Sequence, residues 1–202
     1  GLRVRFALPL PFFKNKNINQ KRKFYANIWC MNKKDTIWDL VVIGGGPAGM
    51  MAAGTASSQN KKLKVLLIEK NDSLGKKLLI TGGGRCNITN AEFDTRVLLS
   101  KYKKAEPFLF SPFNTFGVKD SLDFFLSKGL DTKVENEKRA FPITERAQSV
   151  WDVLVENLKE NKVEILSNSP VKKLEKEGGQ ITQAVLENGE KIKAKKLIIA
   201  TG

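Results

Sequence analysis

Residues 39–69 leave few folds open to this chain. Residues 40–43 (Leu-Val-Val-Ile) form a short apolar, β-branched run of the kind a parallel strand buried on both faces requires, and residues 65–68 form a second. Between them lie Gly44, Gly46 and Gly49 in the spacing G-x-G-x-x-G, followed by a helix of small residues. The first glycine suits the tight turn, the second lets backbone approach a pyrophosphate, and the third packs helix against strand. Pro47 suits the first helical turn, and Ala48 follows it. The unpaired N–H groups at such a helix start, with the positive end of its dipole, form a site for a dinucleotide's pyrophosphate. Glu69 closes the unit at the end of the second strand, 20 residues after Gly49, where a carboxylate accepts from a ribose hydroxyl and repels a 2′-phosphate. A glycine triplet alone is weak support, because such turns occur in many loops. The strand before it, the helix after it and the spaced acid give it weight.

A second glycine loop follows, Leu-Gly-Lys-Lys-Leu-Leu-Ile-Thr-Gly-Gly-Gly-Arg-Cys-Asn-Ile-Thr-Asn over residues 74–90. Gly83 and Gly84 let backbone lie flat against a ligand, and Lys70, Lys76, Lys77 and Arg85 bring positive charge to where a pyrophosphate would sit. Cys86 is tempting as a redox thiol. It has no partner cysteine nearby, and a small thiol in a glycine-packed loop is more often chosen for its size.

The chain's 202 residues permit one domain with a sizeable core, or one domain and part of another. Its charge of +14 is unevenly spread: residues 1–34 hold nine Lys or Arg and no acid, leaving 26 basic against 21 acidic residues, a net +5, for residues 35–202. Scattered lysines at that density read as a solvated surface, so no nucleic-acid partner is expected. Residues 1–34 read as a disordered basic extension, interrupted too often for a signal-peptide core or a membrane span, and the native start is expected at Met31. A basic, acid-free transit peptide is the rival reading. Histidine is absent and the two cysteines, Cys30 and Cys86, are far apart, which excludes a Cys–His nucleophile and a zinc-finger pattern in this stretch and suits a reducing, cytoplasmic compartment.

Beyond residue 93 the pattern predicts a helical connecting segment to about residue 145. It includes helices around Val97–Leu99 and Leu122–Leu126, the latter stopped by Gly129, and short strands at 132–135 and 139–141. Phe108, Phe110, Phe113 and Phe116 are expected to pack as the aromatic core of that segment, with lining of a cavity as the alternative. Ala147, Val150, Trp151, Leu154 and Leu158 form a helical stripe, and residues 163–166 a third sheet strand. Asn188-Gly189 and Gly178-Gly179 then punctuate a three-stranded antiparallel meander over residues 171–194. Residues 196–202 read as a buried strand entering a glycine turn, an ending that suits an N-terminal piece of a longer protein.

At these motifs, at Arg139-Ala140-Phe141-Pro142 and at the terminal Ala-Thr-Gly, residues 39–202 resemble the BaiN-like (YhiN-like) flavoproteins, often labelled aminoacetone oxidase family FAD-binding enzymes. Lys138 departs from the pattern, which has glycine there. The resemblance implies an α/β fold: a Rossmann-like FAD-binding domain with a parallel sheet and an antiparallel meander, cut before the substrate domain. It implies an FAD-dependent oxidoreductase with NAD(P)H as reductant and a small organic substrate. It further implies that Val171 meets the adenine through its backbone and that Ala200, Thr201 and Gly202 approach the cofactor. An FAD-dependent RNA-modifying enzyme and a Rossmann protein using NAD alone are the competing readings.

Overall fold

The computed structural model describes residues 36–202; the basic extension, with Met31 and Cys30, lies outside the described residues. The two apolar runs become strands β1 (Ile37–Ile43) and β2 (Val65–Ile68), paired in parallel with Leu40 opposite Val65. Every residue of β2 is buried, as the continuous apolar run requires. Helix α1 (Pro47–Gln59) links them, with Pro47 in its first turn. After β2 come the short helix α2 (Lys76–Ile80), a glycine turn at Thr81–Gly84 and β3 (Thr89–Asn90). Three helices follow: α3 (Thr95–Ser100), α4 (Glu106–Thr115) and α5 (Val118–Ser127). Gly129 ends α5 as predicted: its φ is +78°, its N–H reaches Leu126 O and that of Leu130 reaches Phe125 O.

Strands β4 (Thr132–Glu135) and β5 (Arg139–Pro142) join β3 in a separate antiparallel sheet of order β3-β5-β4. Lys138, the departure from the family pattern, has φ +57°, the left-handed region that favours glycine, which accounts for the glycine expected there. Helix α6 (Ala147–Glu160) buries Val150, Leu154 and Leu158 of the predicted stripe. The chain then forms β6 (Glu164–Leu166), β7 (Val171–Glu177), β8 (Gln180–Leu186) and β9 (Lys191–Ile199). The main sheet runs β6-β2-β1-β9-β8-β7, parallel from β6 to β9 and antiparallel beyond. Its core packs Leu40, Val42, Val65 and Leu67 against Met50 and Ala53 of α1 and Leu154 and Leu158 of α6. Gly54 is the contact point of the two helices: a Cβ there would lie 2.2 Å from the side chain of Asn157.

Two expectations are corrected. The third meander strand and the terminal strand are one nine-residue strand, β9, which pairs with β8 at its start and with β1 along its length. Among the described residues nothing covers its end, where Ile198 and Ile199 are 39% and 62% exposed. An apolar run announces a strand, but burial depends on what packs over it. The phenylalanines of α4 likewise form no core: that helix has no buried residue, and Phe108 is 80% exposed.

Candidate cofactor site

Strands β1, β2 and β9 end side by side, and the residues just past their carboxyl ends, Gly44, Glu69 and Ala200, all line one cavity of about 610 Å³. In open α/β sheets this crevice is where ligands bind. The three motif glycines have three different reasons to lack a side chain. Gly44 has φ +111°, and a Cβ there would lie 2.4 Å from Ala200 O. At Gly49 a Cβ would sit 1.8 Å from Gly44 O, so the helix lies directly on the turn. Gly46 differs, because nothing stands within 4 Å of its Cβ position and the residue faces the cavity. That open space beside backbone is what close approach of a pyrophosphate needs. Gly46 is also the N-cap of α1, which has neither a side-chain cap nor an acid in its first turn, so its leading N–H groups remain for an anion.

Glu69 is buried, and its carboxylate is engaged by the turn itself. Its Oε2 accepts from Gly45 N–H at 2.7 Å, and its Oε1 accepts from Asn71 N–H at 2.8 Å and Asn71 Nδ2 at 2.6 Å. The carboxylate thus pins the glycine turn to the end of β2. Oε2 keeps one lone pair for a further donor. Gly45, which the fingerprint does not single out, is as constrained as its neighbours: a Cβ would lie 2.4 Å from Leu74 Cδ2 and 2.9 Å from Glu69 Oε2. Gly75 N–H donates to Gly45 O, and Trp151 Nε1 donates to Leu74 O, tying the start of α2 to α6.

Of the residues singled out from sequence, the cavity brings together Gly44, Gly46, Pro47, Ala48, Glu69 and Lys70, with Lys76, Lys77, Ala200, Thr201 and Gly202 also on its wall. Lys76 is engaged by Asp72 at 2.8 Å, whereas the Lys77 Nζ stands 3.2 Å from where a Cβ on Gly202 would be. Gly49 lies behind the turn. Gly83, Gly84, Arg85 and Val171 are not on the cavity wall. The Arg85 guanidinium turns to the small sheet instead, 2.5 Å from Glu135 Oε1, 3.5 Å from Glu145 Oε1 and 4.2 Å from the Phe141 ring centre. Arg85 holds the Glu135 carboxyl down at about 2. Val171 opens β7, at the far edge of the sheet.

Sequence reasoning missed the apolar end of the cavity, formed by Met51, Leu78, Ile88, Phe124, Phe125 and Leu154. Those residues come from five separate elements of the chain, and only the helical periodicity of α5 and α6 hinted at them; Phe116, weighed from sequence as a cavity-lining residue, does stand on the wall. Cys86 also lines the cavity. It is 6% exposed with φ +62°, and burial pushes its thiol pKa up, with Thr81 opposing by a hydrogen bond. A raised pKa disfavours the nucleophilic thiolate. Cys86→Ser is therefore expected to retain cofactor and to keep turnover within roughly tenfold, about 1.4 kcal/mol of barrier. A folded, cofactor-loaded serine variant slowed on the order of a thousandfold would put the thiol in the chemistry.

The fold is that of a Rossmann-type domain. Residues 38–202 match the HI0933-like protein Rossmann domain, and the chain belongs to that family, the one its second glycine loop pointed to. The 3-dehydro-bile acid delta(4,6)-reductase of Clostridium scindens is 34% identical over 163 residues, 80% of this chain and 38% of that protein. The ribosomal RNA dihydrouridine synthase of Escherichia coli is 30% identical over 165 residues, 82% of this chain and 39% of that protein. The chain thus spans about two fifths of the length of these relatives. Among solved structures, the open conformation of a flavocytochrome c3 fumarate reductase has a TM-score of 0.62 at 21% identity, covering 97% of this chain and 40% of that one. The 3-ketosteroid-delta4-(5alpha)-dehydrogenase from Rhodococcus jostii RHA1 has a TM-score of 0.61 at 17% identity, covering 83% and 46%. These two show the fold. No helix among the described residues is long and apolar enough to cross a membrane.

Proposed function

We propose that this chain is the FAD-binding part of a flavin-dependent oxidoreductase that reduces a small unsaturated substrate with electrons from NAD(P)H. The observation that carries the reading is the open Cβ position of Gly46 inside a cavity bounded by Glu69 on one side and Ala200–Gly202 on the other. The α1 N-terminus would hold the pyrophosphate, and the free lone pair of Glu69 Oε2 would accept from a ribose hydroxyl. Lys70 and Lys77 would add positive charge, and Thr201 and Gly202 would meet the far end of the cofactor. When bound, FAD supplies two-electron transfer between the nicotinamide donor and the substrate's double bond. The chain's own part is to bind, orient and exclude water, the last through the apolar end of the cavity. That a bile-acid reductase and dihydrouridine synthases are both relatives supports reduction of a carbon–carbon double bond, since making a dihydro base is also a reduction.

Two ribosomal RNA dihydrouridine synthases among the relatives keep an RNA substrate as the second reading. Three of the meander's lysines are engaged by carboxylates, Lys173 and Lys191 by Glu175 and Lys195 by Asp39, which reduces the positive charge that face could offer to phosphates. RNA binding by the full-length protein that falls steeply with salt would favour that reading over a small substrate. The absorbance of the purified full-length protein tests the cofactor itself. Flavin bands at roughly 375 and 450 nm are expected. A colourless protein that cannot be reconstituted with FAD would leave NAD as the ligand and overturn the proposal.

A further inference from the structure

We propose that Arg85 is a positioning residue for the cofactor cavity: stacked on Phe141 and paired with Glu135, it holds residues 81–88 in the conformation that puts Thr81, Cys86, Asn87 and Ile88 on the cavity wall. The inference rests on reading that cavity as the FAD site.

Local bonds close the turn, Cys86 N–H to Thr81 O at 3.0 Å and Arg85 N–H to Gly82 O at 3.3 Å, but local preference adds little to hold it. Gly82, Gly83, Gly84 and Cys86 all have φ between +56° and +86°, and glycines in such a run populate many other conformations as readily. Nothing stands within 4 Å of the Cβ positions of Gly83 and Gly84, so packing does not hold the tip of the loop. What ties it down is a set of contacts to the small antiparallel sheet. Ile88 N–H donates to Ala140 O at 2.8 Å, and Gly82 lies close enough that a Cβ would be 3.2 Å from the Phe141 ring. Arg85 makes the charged side-chain contact of the set, bound at 2.5 Å to a carboxylate 50 residues away, and the Asn87 amide donates to Ala140 O beside it. Lys133 contacts Glu135 and Glu145 and completes a four-charge cluster in which each carboxylate has two cationic neighbours.

The Arg85–Glu135 pair is 29–31% exposed and so partly screened, which limits what it contributes to stability by itself. The residues that touch the cavity lie on both sides of Arg85 in sequence, at 81 and at 86–88, whereas Arg85 itself stays off its wall.

The test uses Arg85→Met, Arg85→Lys, Glu135→Gln and the double variant Arg85→Met/Glu135→Gln in the full-length protein. FAD affinity is measured by titration well below the melting temperature, with visible circular dichroism of the bound flavin and the melting temperature of the FAD-free protein. Arg85→Met and Glu135→Gln are each expected to weaken FAD binding about tenfold and to alter the flavin dichroism, and the double variant to be no worse than either single one, because the two residues act as a pair. Arg85→Lys, which keeps the charge but not the planar fork, is expected to fall between. Folded variants with unchanged affinity and dichroism would overturn the inference. So would lowered melting temperatures, or failure to fold, without any selective effect on FAD, since that is a stability role. If the unaltered protein takes up no FAD, both this inference and the cofactor reading fall. If it takes up FAD and the variants match it, only this one does.

Discussion

Gly49→Ala is expected to cost the domain about 3 kcal/mol or more, the upper end of what forcing atoms into a packed interior does. Gly46→Ala is expected to cost about 1 kcal/mol or less. Both residues belong to one fingerprint and are three apart, yet their surroundings are opposite. The alanine methyl at Gly49 would lie 1.8 Å from Gly44 O, and the obstacle is backbone that is itself wedged against Ala200. Helix α1 would have to lift off the turn that positions its own N-terminus. At Gly46 the added methyl meets nothing, and the backbone there, with φ −74° and ψ 177°, is open to any residue. The Gly46 variant should therefore fold normally and lose dinucleotide binding, because the methyl occupies the space the pyrophosphate needs. Urea unfolding of the cofactor-free proteins, with FAD titration of those that fold, separates the two. A Gly49→Ala protein with an unchanged unfolding midpoint would show that the helix can move. Normal FAD affinity in Gly46→Ala would place the pyrophosphate elsewhere.

Glu69→Ala is expected to damage turn and site together. Three hydrogen bonds to one buried carboxylate disappear, and the Gly45 N–H is left facing a space with no acceptor. Hydrogen bonds to a charged group contribute about 1.5–3 kcal/mol each, and an orphaned buried donor costs about 1–3 kcal/mol. Removing the carboxylate also relieves the cost of burying its charge, which offsets part of those contributions, and a net loss of about 3 kcal/mol or more of stability without cofactor is the expected result. Glu69→Gln keeps the shape and one acceptor but turns an NH₂ toward a donor, so it should be milder in stability and still impaired in FAD retention. Glu69→Arg, which places a cation against the Gly45 and Asn71 donors, should abolish retention. Full flavin stoichiometry in either the Gln or the Arg variant would show that Glu69 is not the ribose acceptor. Unchanged stability of Glu69→Ala would show that the turn does not depend on it.

The difference between Glu69 and Arg85 illustrates what a sequence can disclose. An acid 20 residues after a glycine fingerprint, at the end of an apolar run, lies where strand geometry must carry it, because strand, turn and helix each advance by a fixed rise. Its hold on Gly45 and Asn71 follows from a side chain folding back over the turn, which no spacing encodes. Arg85 beside three glycines reads as an anion binder only while its partner is unknown. Glu135 lies 50 residues downstream, and the direction of a long side chain is set by the partner it finds. The phenylalanines show the same limit: Phe108 and Phe110 are exposed and Phe116 lines the cavity, whereas Phe124 and Phe125, read only as part of the helix around Leu122–Leu126, face it too.

From sequence alone came the strand–turn–helix–strand unit, the steric need for glycine at Gly44 and Gly49, the α6 stripe, the helix stop at Gly129 and the hairpin turns of the meander. All of these depend on φ/ψ restrictions and side-chain periodicity acting over a few residues. The tertiary structure alone decided that β9 is continuous and exposed at its end, that Cys86 is enclosed, that Arg85 faces Glu135 and that the cavity has an apolar end. Those are properties of surfaces brought together from distant parts of the chain, where burial, charge pairing and pKa depend on the neighbour supplied by the fold rather than on the residue itself.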